Sequence, residues 1–328
     1  MTMQILVTGG AGYIGSHVVR HLSESGHKVV VLDDLSSGSR GALIHQETLV
    51  VGNVGDAGAL EALFTRYRFD AVFHFAASIV APESVVEPIL YYRNNTINTF
   101  GLIEACVKHK VKRFIFSSSA AVYGIPADGT ASEESLTAPI NPYGTSKLMS
   151  EWMLKDVAQA APLRYVALRY FNVAGADPQG RMGQRSPAAT HLIKVCCEAA
   201  MGLRHDVSIF GTDYPTPDGT GIRDYVHIED LAAAHIAALR YLEGGGASMT
   251  VNVGYGKGFS VRDVIAMVHD VAGAKFPVKE AARRPGDPPK LVAKAERVRE
   301  VLAWKPRFDD LRNIVEDSWR WEQVKNKA

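Results

Sequence analysis

The fold is decided by a glycine-rich stretch near the N-terminus, which reads Thr8-Gly9-Gly10-Ala11-Gly12-Tyr13-Ile14-Gly15. An apolar β-strand pattern at Gln4–Thr8 precedes it, and a helical pattern of recurring apolar residues follows over 13–25. Glycines in such a turn let backbone N–H groups approach a pyrophosphate, which the N-terminus of the following helix attracts electrostatically. The order of strand, glycine turn and helix therefore predicts a dinucleotide-binding unit.

A carboxylate at the end of the second predicted strand indicates which dinucleotide binds. Asp33 closes the strand pattern Lys28–Asp33, 18 residues after Gly15. A carboxylate at this place accepts hydrogen bonds from the adenosine ribose and repels an added 2′-phosphate. We therefore expect NAD, not NADP, as the cofactor. The neighbouring Asp34 either faces solvent or shares this role.

Strand and helix patterns alternate through the first half of the chain. Short apolar runs predict strands at Gln4–Thr8, Lys28–Asp33, Thr48–Val51, 71–75, 113–117 and 164–169. Strict alternation with helices implies parallel pairing and right-handed crossovers. We therefore expect the α/β class, with a doubly wound parallel sheet of the Rossmann type.

Beyond residue 175 the chain changes to long loops rich in Pro, Gly and Asp, at 177–187, 211–223 and 283–289. Long loops in a compact chain are usually functional. We expect an NAD-binding domain at 1–175, rejoined by about 224–241. A smaller C-terminal α/β domain at 176–328 is expected to bind the substrate.

The composition disfavours several other classes of protein. The chain has 328 residues and a formal net charge of +1, which offers no electrostatic basis for binding nucleic acid or a membrane surface. No apolar run approaches the ~20 residues that span a bilayer, and a strand pattern begins too early for a signal peptide. The three cysteines form no C-x-x-C pair, and the eleven histidines form no metal-binding motif. We expect a cytoplasmic protein without a resident metal ion.

Three further residues are expected to share one pocket. Tyr143 and Lys147 lie four residues apart in a helical pattern, so they occupy one helix face. Ser119 follows the strand pattern at 113–117, and α/β sheets bind ligands at the carboxyl ends of their strands. A lysine ammonium together with a positive nicotinamide ring favours the phenolate of Tyr143 and lowers its pKa. Tyr143 is therefore predicted to take the proton of a sugar hydroxyl whose carbon gives up a hydride, while Ser119 orients the oxygen.

These motifs resemble the extended short-chain dehydrogenase/reductase superfamily and, within it, the UDP-glucose 4-epimerase family. The glycine turn and the Tyr143/Lys147 pair are common to the superfamily. The stretch at 218–227, which reads Asp-Gly-Thr-Gly-Ile-Arg-Asp-Tyr-Val-His, is more specific for 4-epimerases. Further similar segments lie at 117–124, 168–172, 209–214 and 283–287.

The resemblance implies reversible inversion at carbon 4 of a UDP-hexose. In that family the sugar is oxidised to its 4-keto form, rotates in the pocket and receives the same hydride on the opposite face, while NAD stays bound. The resemblance assigns catalysis to Ser119, Tyr143 and Lys147. It places at the cofactor Gly9, Gly12, Tyr13, Ile14, Gly15, Asp33, Asn53, Val54, Phe75, Ala76, Asn94, Ser117, Tyr143, Lys147 and Tyr170. It places at the nucleotide sugar Ser119, Tyr143, Asn172, His191, Leu192, Ser208, Phe210, Arg223, Arg284, Asp287 and Leu291.

Roles within the nucleotide-sugar group follow from the same resemblance. Arg223 and Arg284 would clamp the diphosphate, a task that suits the fixed fork of donors of a guanidinium group. Asp287 would hold the uridine ribose, and Phe210 would lie beside the uracil.

Several positions depart from the family's pattern. Ile79 falls in the segment where many members carry a lysine near the cofactor, and Asn53 replaces the aspartate of a Gly-Asp-Ile segment. His191 stands where an asparagine is often found, and either donates to a phosphate oxygen or packs at a helix start. Leu291 stands where some members carry a tyrosine that narrows the pocket near carbon 2 of the sugar. Because leucine is smaller, we also expect activity on UDP-N-acetylglucosamine.

Three other functions compete with this expectation. Sugar-nucleotide 4,6-dehydratases carry an acidic pair where this chain has Ala120 and Ala121, so it lacks the acid that expels a 6-hydroxyl. A regulator that only senses NAD would not need Tyr143 and Lys147. A 4-epimerase of a UDP-uronate or a UDP-pentose stays open. The resemblance also implies a homodimer, with helices in 88–108 and 143–160 as candidates for the interface.

Overall fold

Seven parallel strands form the main sheet of the computed structural model, which describes residues 2–45, 47–186 and 190–326. The first strand of the chain is the third along this sheet, and the order of the strands reverses between it and the central, fourth strand. Such a reversal is the topological switch point of a doubly wound sheet, so the predicted fold class is confirmed. The strands of the described residues are β1 (Gln4–Thr8), β2 (Lys28–Asp33), β3 (Thr48–Val51), β4 (Ala71–His74), β5 (Arg113–Ser119), β6 (Thr130–Ala131), β7 (Arg164–Tyr170), β8 (Asn172–Ala174), β9 (Val207–Phe210), β10 (Ile222–His227), β11 (Met249–Val253), β12 (Gly258–Ser260), β13 (Val278–Ala281) and β14 (Lys290–Ala293), and the main sheet has the order β3-β2-β1-β4-β5-β7-β11.

Helices cover both faces of the main sheet. The α-helices of the described residues are α1 (Tyr13–Glu24), α2 (Ala57–Arg66), α3 (Ala81–Val86), α4 (Pro88–Tyr91), α5 (Asn98–Lys108), α6 (Pro142–Ala160), α7 (Leu192–Ala200), α8 (Ile228–Glu243), α9 (Val261–Ala272), α10 (Glu296–Leu302) and α11 (Leu311–Lys325). One face packs against α1 and α8, and the other against α2, α5 and α6. Because β1 is covered on both sides, Ile5, Leu6 and Val7 are fully buried, and each contributes about 1.5–3 kcal/mol. Burial on both faces explains why the strand is uniformly apolar.

Two short helical segments of other types lie near the carboxyl edge of the main sheet. A π-helix, Tyr92–Ile97, joins α4 to α5, and a 3-10 turn, Ala120–Tyr123, directly follows β5. Strand β5 runs to Ser119, two residues beyond its predicted end at 117. The 3-10 turn therefore begins immediately after the candidate catalytic serine.

The second half of the chain, together with β6 of the first half, builds smaller sheets beside the main one. β12, β10, β14 and β6 pair in that order with β8 beside β10, and β9 pairs with β13. Helices α7, α9 and α11 pack against one another. These sheets and helices are smaller than the main sheet, and the prediction of a substrate-binding domain at 176–328 stays a prediction. Two segments of the second half return to the main sheet. Helix α8 packs on α1, and β11 pairs with β7 at the edge of that sheet.

Three findings bear on other classes of protein. No helix in the described part of the chain is long and apolar enough to cross a membrane. The same residues contain no group of three or more His, Cys, Asp or Glu that could hold a metal ion. Cys106, Cys196 and Cys197 are buried free thiols.

Candidate active site

A cavity of about 390 Å³ opens at the carboxyl edge of the main sheet. Most of the predicted site residues line it, although they come from both halves of the chain. The predicted residues that line the cavity are Gly9, Gly12, Tyr13, Ile14, Gly15, Asp33, Asn53, Val54, Phe75, Ala76, Asn94, Ser117, Ser119, Tyr143, Lys147, Tyr170, Asn172, His191, Leu192, Arg223, Asp287 and Leu291. Ser208, Phe210 and Arg284 are not among the lining residues.

The glycine turn lines the cavity with bare backbone. A Cβ added at Gly9, whose φ is +70°, would stand 2.5 Å from the backbone nitrogen of Ala76. A Cβ at Gly15 would stand 2.2 Å from the carbonyl oxygen of Gly9. Helix α1 begins at Tyr13 with Gly12 as N-cap and without a side-chain cap. Its first N–H groups are therefore free to bind a pyrophosphate, and this part of the cavity fits a dinucleotide.

Two aspartates stand at the end of β2 beside this turn. The Asp33 carboxylate accepts hydrogen bonds from the N–H groups of Ala11 at 2.9 Å and Leu35 at 2.8 Å. Burial raises the pKa of Asp33, and these two hydrogen bonds oppose the rise. Asp34 is exposed and accepts a hydrogen bond from the Asn53 amide at 3.0 Å. The asparagine that departs from the family's pattern thus joins Asp34 at the edge of the cavity.

Ser119, Tyr143 and Lys147 meet at the end of β5. Asn141 caps α6, its side-chain oxygen accepting a hydrogen bond from Gly144 N at 2.9 Å, and Pro142 occupies the first helical position. This cap starts the helix one residue before Tyr143, so Tyr143 and Lys147 occupy its first two turns. The Lys147 Nζ donates to the Ser117 carbonyl at 2.8 Å, which ties the helix to the strand.

Burial controls the protonation of both α6 residues. It raises the pKa of Tyr143, and the hydrogen bond with Ser119 opposes the rise. Burial also lowers the pKa of Lys147 to about 7, although the negative charge of the Glu151 carboxylate acts in the opposite direction and raises it. The sequence predicts a lowered pKa for Tyr143 from Lys147 and a positive nicotinamide ring together. In the protein alone the direction is the opposite, because desolvation of the phenolate outweighs the other contributions.

Aromatic and polar side chains complete the inner wall. The Tyr170 hydroxyl and the Ser117 Oγ form a short hydrogen bond. The His235 ring packs 5.0 Å from the Phe75 ring and 6.0 Å from the Tyr170 ring, measured between centroids. The pKa of His235 is lowered to about 4 by burial, so this ring is neutral and acts as packing. Asn94, in the π-helix, donates to the Ser78 Oγ at 3.0 Å.

Charged side chains from β10 and from the loop between β13 and β14 lie at the outer end. Arg223 in β10 pairs with Asp287 at 2.9 Å. The Arg284 guanidinium lies 3.7 Å from the centre of the Phe210 ring, beside the cavity. Leu291 in β14 is the direct strand partner of Arg223, and it lines the cavity with only 7% of its surface exposed.

His191 is the N-cap residue of α7, but its side chain does not cap the helix. Its Nδ1 lies 3.3 Å from the Gln184 Oε1, and burial lowers its pKa. The ring is therefore neutral and lines the cavity next to Leu192. Gln184 itself was not predicted, although it is buried and lines the cavity.

Other lining residues were also not predicted from the sequence. Ser36 and Ser37 lie in the loop after β2, close to Asp34. Their position just beyond the end of a predicted strand could have been used to predict them from the sequence. Ser186, Ile193 and Tyr225 have no such signal, because only the packing of the second half brings them to the cavity. The lining residues without a prediction include Ser36, Ser37, Ala77, Ala81, Asn141, Gln184, Ser186, Ile193 and Tyr225.

A doubly wound sheet with a dinucleotide turn and a Ser/Tyr/Lys group in one cavity defines a Rossmann-type enzyme that works with a nicotinamide cofactor. The chain belongs to the NAD dependent epimerase/dehydratase family, whose model matches residues 5–254. It is 54% identical to the UDP-glucose 4-epimerase of Azospirillum brasilense, over 98% of this chain and 92% of the relative.

Two solved structures are similar over nearly the whole chain. The UDP-glucose 4-epimerase from Brucella ovis in complex with NAD has a TM-score of 0.93 and 42% identity, covering 97% of this chain and 98% of its own. The UDP-Glc/GlcNAc 4-epimerase from Campylobacter jejuni has a TM-score of 0.85 and 48% identity, covering 98% and 99%. The similarity therefore includes both halves of the chain.

Proposed function

We propose that this NAD-dependent epimerase interconverts UDP-galactose and UDP-glucose by inversion at carbon 4. The observation that carries the proposal is the convergence of Ser119, Tyr143 and Lys147 on one cavity with the glycine turn. Ala120 and Ala121 line the same cavity where a dehydratase would carry acids. The names of the relatives, UDP-glucose 4-epimerase, support the same reaction.

The first half of the chain holds the cofactor in this proposal. The free N–H groups of α1 and the bare turn at Gly9 and Gly15 bind the pyrophosphate. Asp33 accepts hydrogen bonds from the adenosine ribose, and Asn53 and Val54 line the cavity beside it. NAD, when bound, takes up the hydride of carbon 4 and gives it back.

The α6 residues handle the proton. Tyr143 takes the proton of the 4-hydroxyl and later returns one to the carbon-4 oxygen, while Ser119 holds this oxygen by a hydrogen bond. The Lys147 ammonium, anchored on the Ser117 carbonyl, stabilises the phenolate. Burial keeps water away from these groups, which strengthens each electrostatic interaction.

The second half recognises the nucleotide. Arg223 and Arg284 bind the diphosphate, Asp287 the uridine ribose, and Phe210 packs against the uracil. Because Arg284 rests on Phe210 in this structure, its guanidinium would leave that ring when it takes up a phosphate. His191, Leu192, Asn172 and Ser208 complete the proposed contacts.

We further propose that the pocket accepts UDP-N-acetylglucosamine. Leu291 lines the cavity beside Arg223 and leaves more room than a tyrosine would. The relative from Campylobacter jejuni, 48% identical to this chain, is described as acting on both UDP-Glc and UDP-GlcNAc. We propose in addition that the chain works as a cytoplasmic homodimer, and that 1–175 with 224–241 is its NAD-binding domain.

The reaction is tested by incubating the purified protein with UDP-galactose and separating the UDP-hexoses by chromatography. We expect UDP-glucose to form without added reductant. Tyr143→Phe should lower kcat by about 100-fold or more, since it removes the proton acceptor. Tyr241→Phe, outside the lining of the cavity, is the matched control and should keep full activity. Unchanged activity of Tyr143→Phe would refute the proposal.

A further inference from the structure

A buried carboxylate lies directly behind the proposed catalytic group. Glu151 follows Lys147 by one turn of α6, so Tyr143, Lys147 and Glu151 share one helix face. Its side chain is buried, with 4% of the residue exposed, and it does not line the cavity. A buried carboxylate is costly unless it is paired, so its partners indicate what it does.

The partners of Glu151 come from two strands of the main sheet. The Arg169 Nε donates to Oε1 at 2.9 Å, and Nη2 donates to Oε2 at 2.5 Å. The Ser118 Oγ donates a short hydrogen bond to Oε1. Ser118 and Arg169 are facing residues of β5 and β7, so one carboxylate joins α6 to both strands. Ser118 also lies between Ser117, which accepts the Lys147 hydrogen bond, and Ser119.

The same network continues past Ser119. The Arg169 Nη1 donates to the Tyr123 hydroxyl at 3.0 Å, within the 3-10 turn that follows Ser119. Tyr123 donates in turn to the Asn252 Oδ1 of β11 at 2.6 Å. The turn on the far side of Ser119 is therefore held by the guanidinium that also holds Glu151.

We propose that Glu151 is a positioning residue for the proposed epimerase reaction. Its carboxylate fixes the reactive face of α6 against the ends of β5 and β7, and supplies the negative charge that the Lys147 ammonium faces. The proposal deepens the proposed function and rests on it for its kinetic consequences. Because Glu151 does not line the cavity, we expect it to touch neither the sugar nor the cofactor.

The charges around Lys147 support this role. On α6 it shares a face with Tyr143 and Glu151, it acts electrostatically on His74 of β4, and its Nζ lies 5.1 Å from the centre of the Phe116 ring of β5. Burial lowers the pKa of His74 to about 3 and raises the pKa of Tyr143 and Tyr170, so all three are neutral near pH 7. On α4, the Tyr91 ring packs on Tyr143, and the Tyr91 hydroxyl donates a hydrogen bond to the Glu83 carboxylate of α3. Glu151 is thus the carboxylate that opposes the desolvation of Lys147.

The sign of the effect on pH dependence follows. Burial has brought the pKa of Lys147 down to about 7, and Glu151 keeps it from falling further. Glu151→Gln removes the negative charge and leaves the Arg169 cation unopposed, so the Lys147 ammonium is lost at lower pH. Because the ammonium is needed with the phenolate, the alkaline limb of the kcat profile should move to lower pH.

The test compares three proteins with the wild type, all in the NAD-bound form. Glu151→Gln removes the carboxylate charge and leaves Arg169 charged. The double variant Glu151→Met/Arg169→Met removes both charges, so the buried site stays neutral. It serves as the second test if Glu151→Gln folds poorly. Glu322→Gln is the matched control, since Glu322 is a buried carboxylate 2.6 Å from the Lys194 Nζ and away from α6. We measure kcat and KM for UDP-galactose against pH, thermal unfolding, and the titration of Lys147 by NMR on 13C-labelled lysine, assigned with Lys147→Met.

For Glu151→Gln we expect kcat to fall about 10-fold to 100-fold with KM nearly unchanged. The alkaline limb and the Lys147 titration should both move down by about one pH unit or more, and by less in the double variant. Glu322→Gln should lose thermal stability, but its alkaline limb and its Lys147 titration should lie at the same pH as in the wild type. The proposal is overturned if Lys147 titrates alike in the wild type, Glu151→Gln and Glu322→Gln. The NMR titration needs no turnover, so an inactive wild type would overturn only the proposed function.

Discussion

A single apolar residue, Leu291, is expected to set how large a sugar the cavity accepts. It is buried beside Arg223 and lines the cavity. Leu291→Tyr adds a ring and a hydroxyl at this wall. We expect it to lower kcat/KM for UDP-N-acetylglucosamine by about tenfold or more and to change that for UDP-galactose little. Leu291→Met, which conserves volume, is the control and should behave as the wild type. An equal loss on both substrates would contradict a role in sugar size.

Residues of the candidate site could be predicted from the sequence where the residue type suits the chemistry and the spacing fixes its position on a helix or at a strand end. Ser119, Tyr143 and Lys147 were brought to one cavity as expected, because a helix face and a strand end fix their placement. The direction of the Tyr143 pKa was not predictable, because it depends on how completely the fold removes water from the phenol. Gln184 was missed for a related reason, since only the packing of a loop against α11 and His191 places it.

Among the elements, α1 is the one whose position depends most directly on a glycine. Gly15→Ala would put a methyl group 2.2 Å from the Gly9 carbonyl oxygen, so α1 must move away from the turn. Overpacking of this kind costs about 1–3 kcal/mol. Since the N–H groups of α1 move with it, we expect the Kd for NAD, measured by calorimetry, to rise about tenfold or more.

Gly101→Ala in α5 is the matched control, because a Cβ there meets nothing within 4 Å. It should leave NAD binding unchanged and stabilise the protein by about 0.5–1 kcal/mol. If both alanines weaken NAD binding alike, the close approach at Gly15 is not the cause.

Most strands of the first half could be predicted because they are short and apolar, and α1 could be predicted because its apolar residues recur on one face. The two-residue strand β6 was missed. The return of β11 to the main sheet could not be predicted from the sequence. Its residues Met249–Val253 form an ordinary strand, and only pairing with β7 shows which sheet they join. The π-helix Tyr92–Ile97 was equally hidden, since its extra residue per turn leaves no mark on apolar spacing.

At the scale of the whole molecule, apolar side chains remain exposed on one group of helices. Val86 is 76% exposed, Ile89 72%, Ile97 61% and Phe100 53%, all between α3 and α5. Trp152 is 54% exposed on α6, which packs against the same segment. Apolar side chains grouped in this way mark a surface that associates with a partner. A second copy of the chain fits, because such a surface can pair with itself about a two-fold axis.

We therefore predict a homodimer in sedimentation equilibrium, with the helices α3 to α6 at its interface. Phe100→Glu places a charge in the centre of the apolar group and should raise the dimer dissociation constant by at least about 100-fold, because an unpaired charge would be buried. Leu136→Glu is the control, since Leu136 is 82% exposed in the loop before α6 and outside this surface. It should leave the dimer intact. A wild type that sediments as a monomer, or equal dissociation of the two variants, would exclude this surface as the interface.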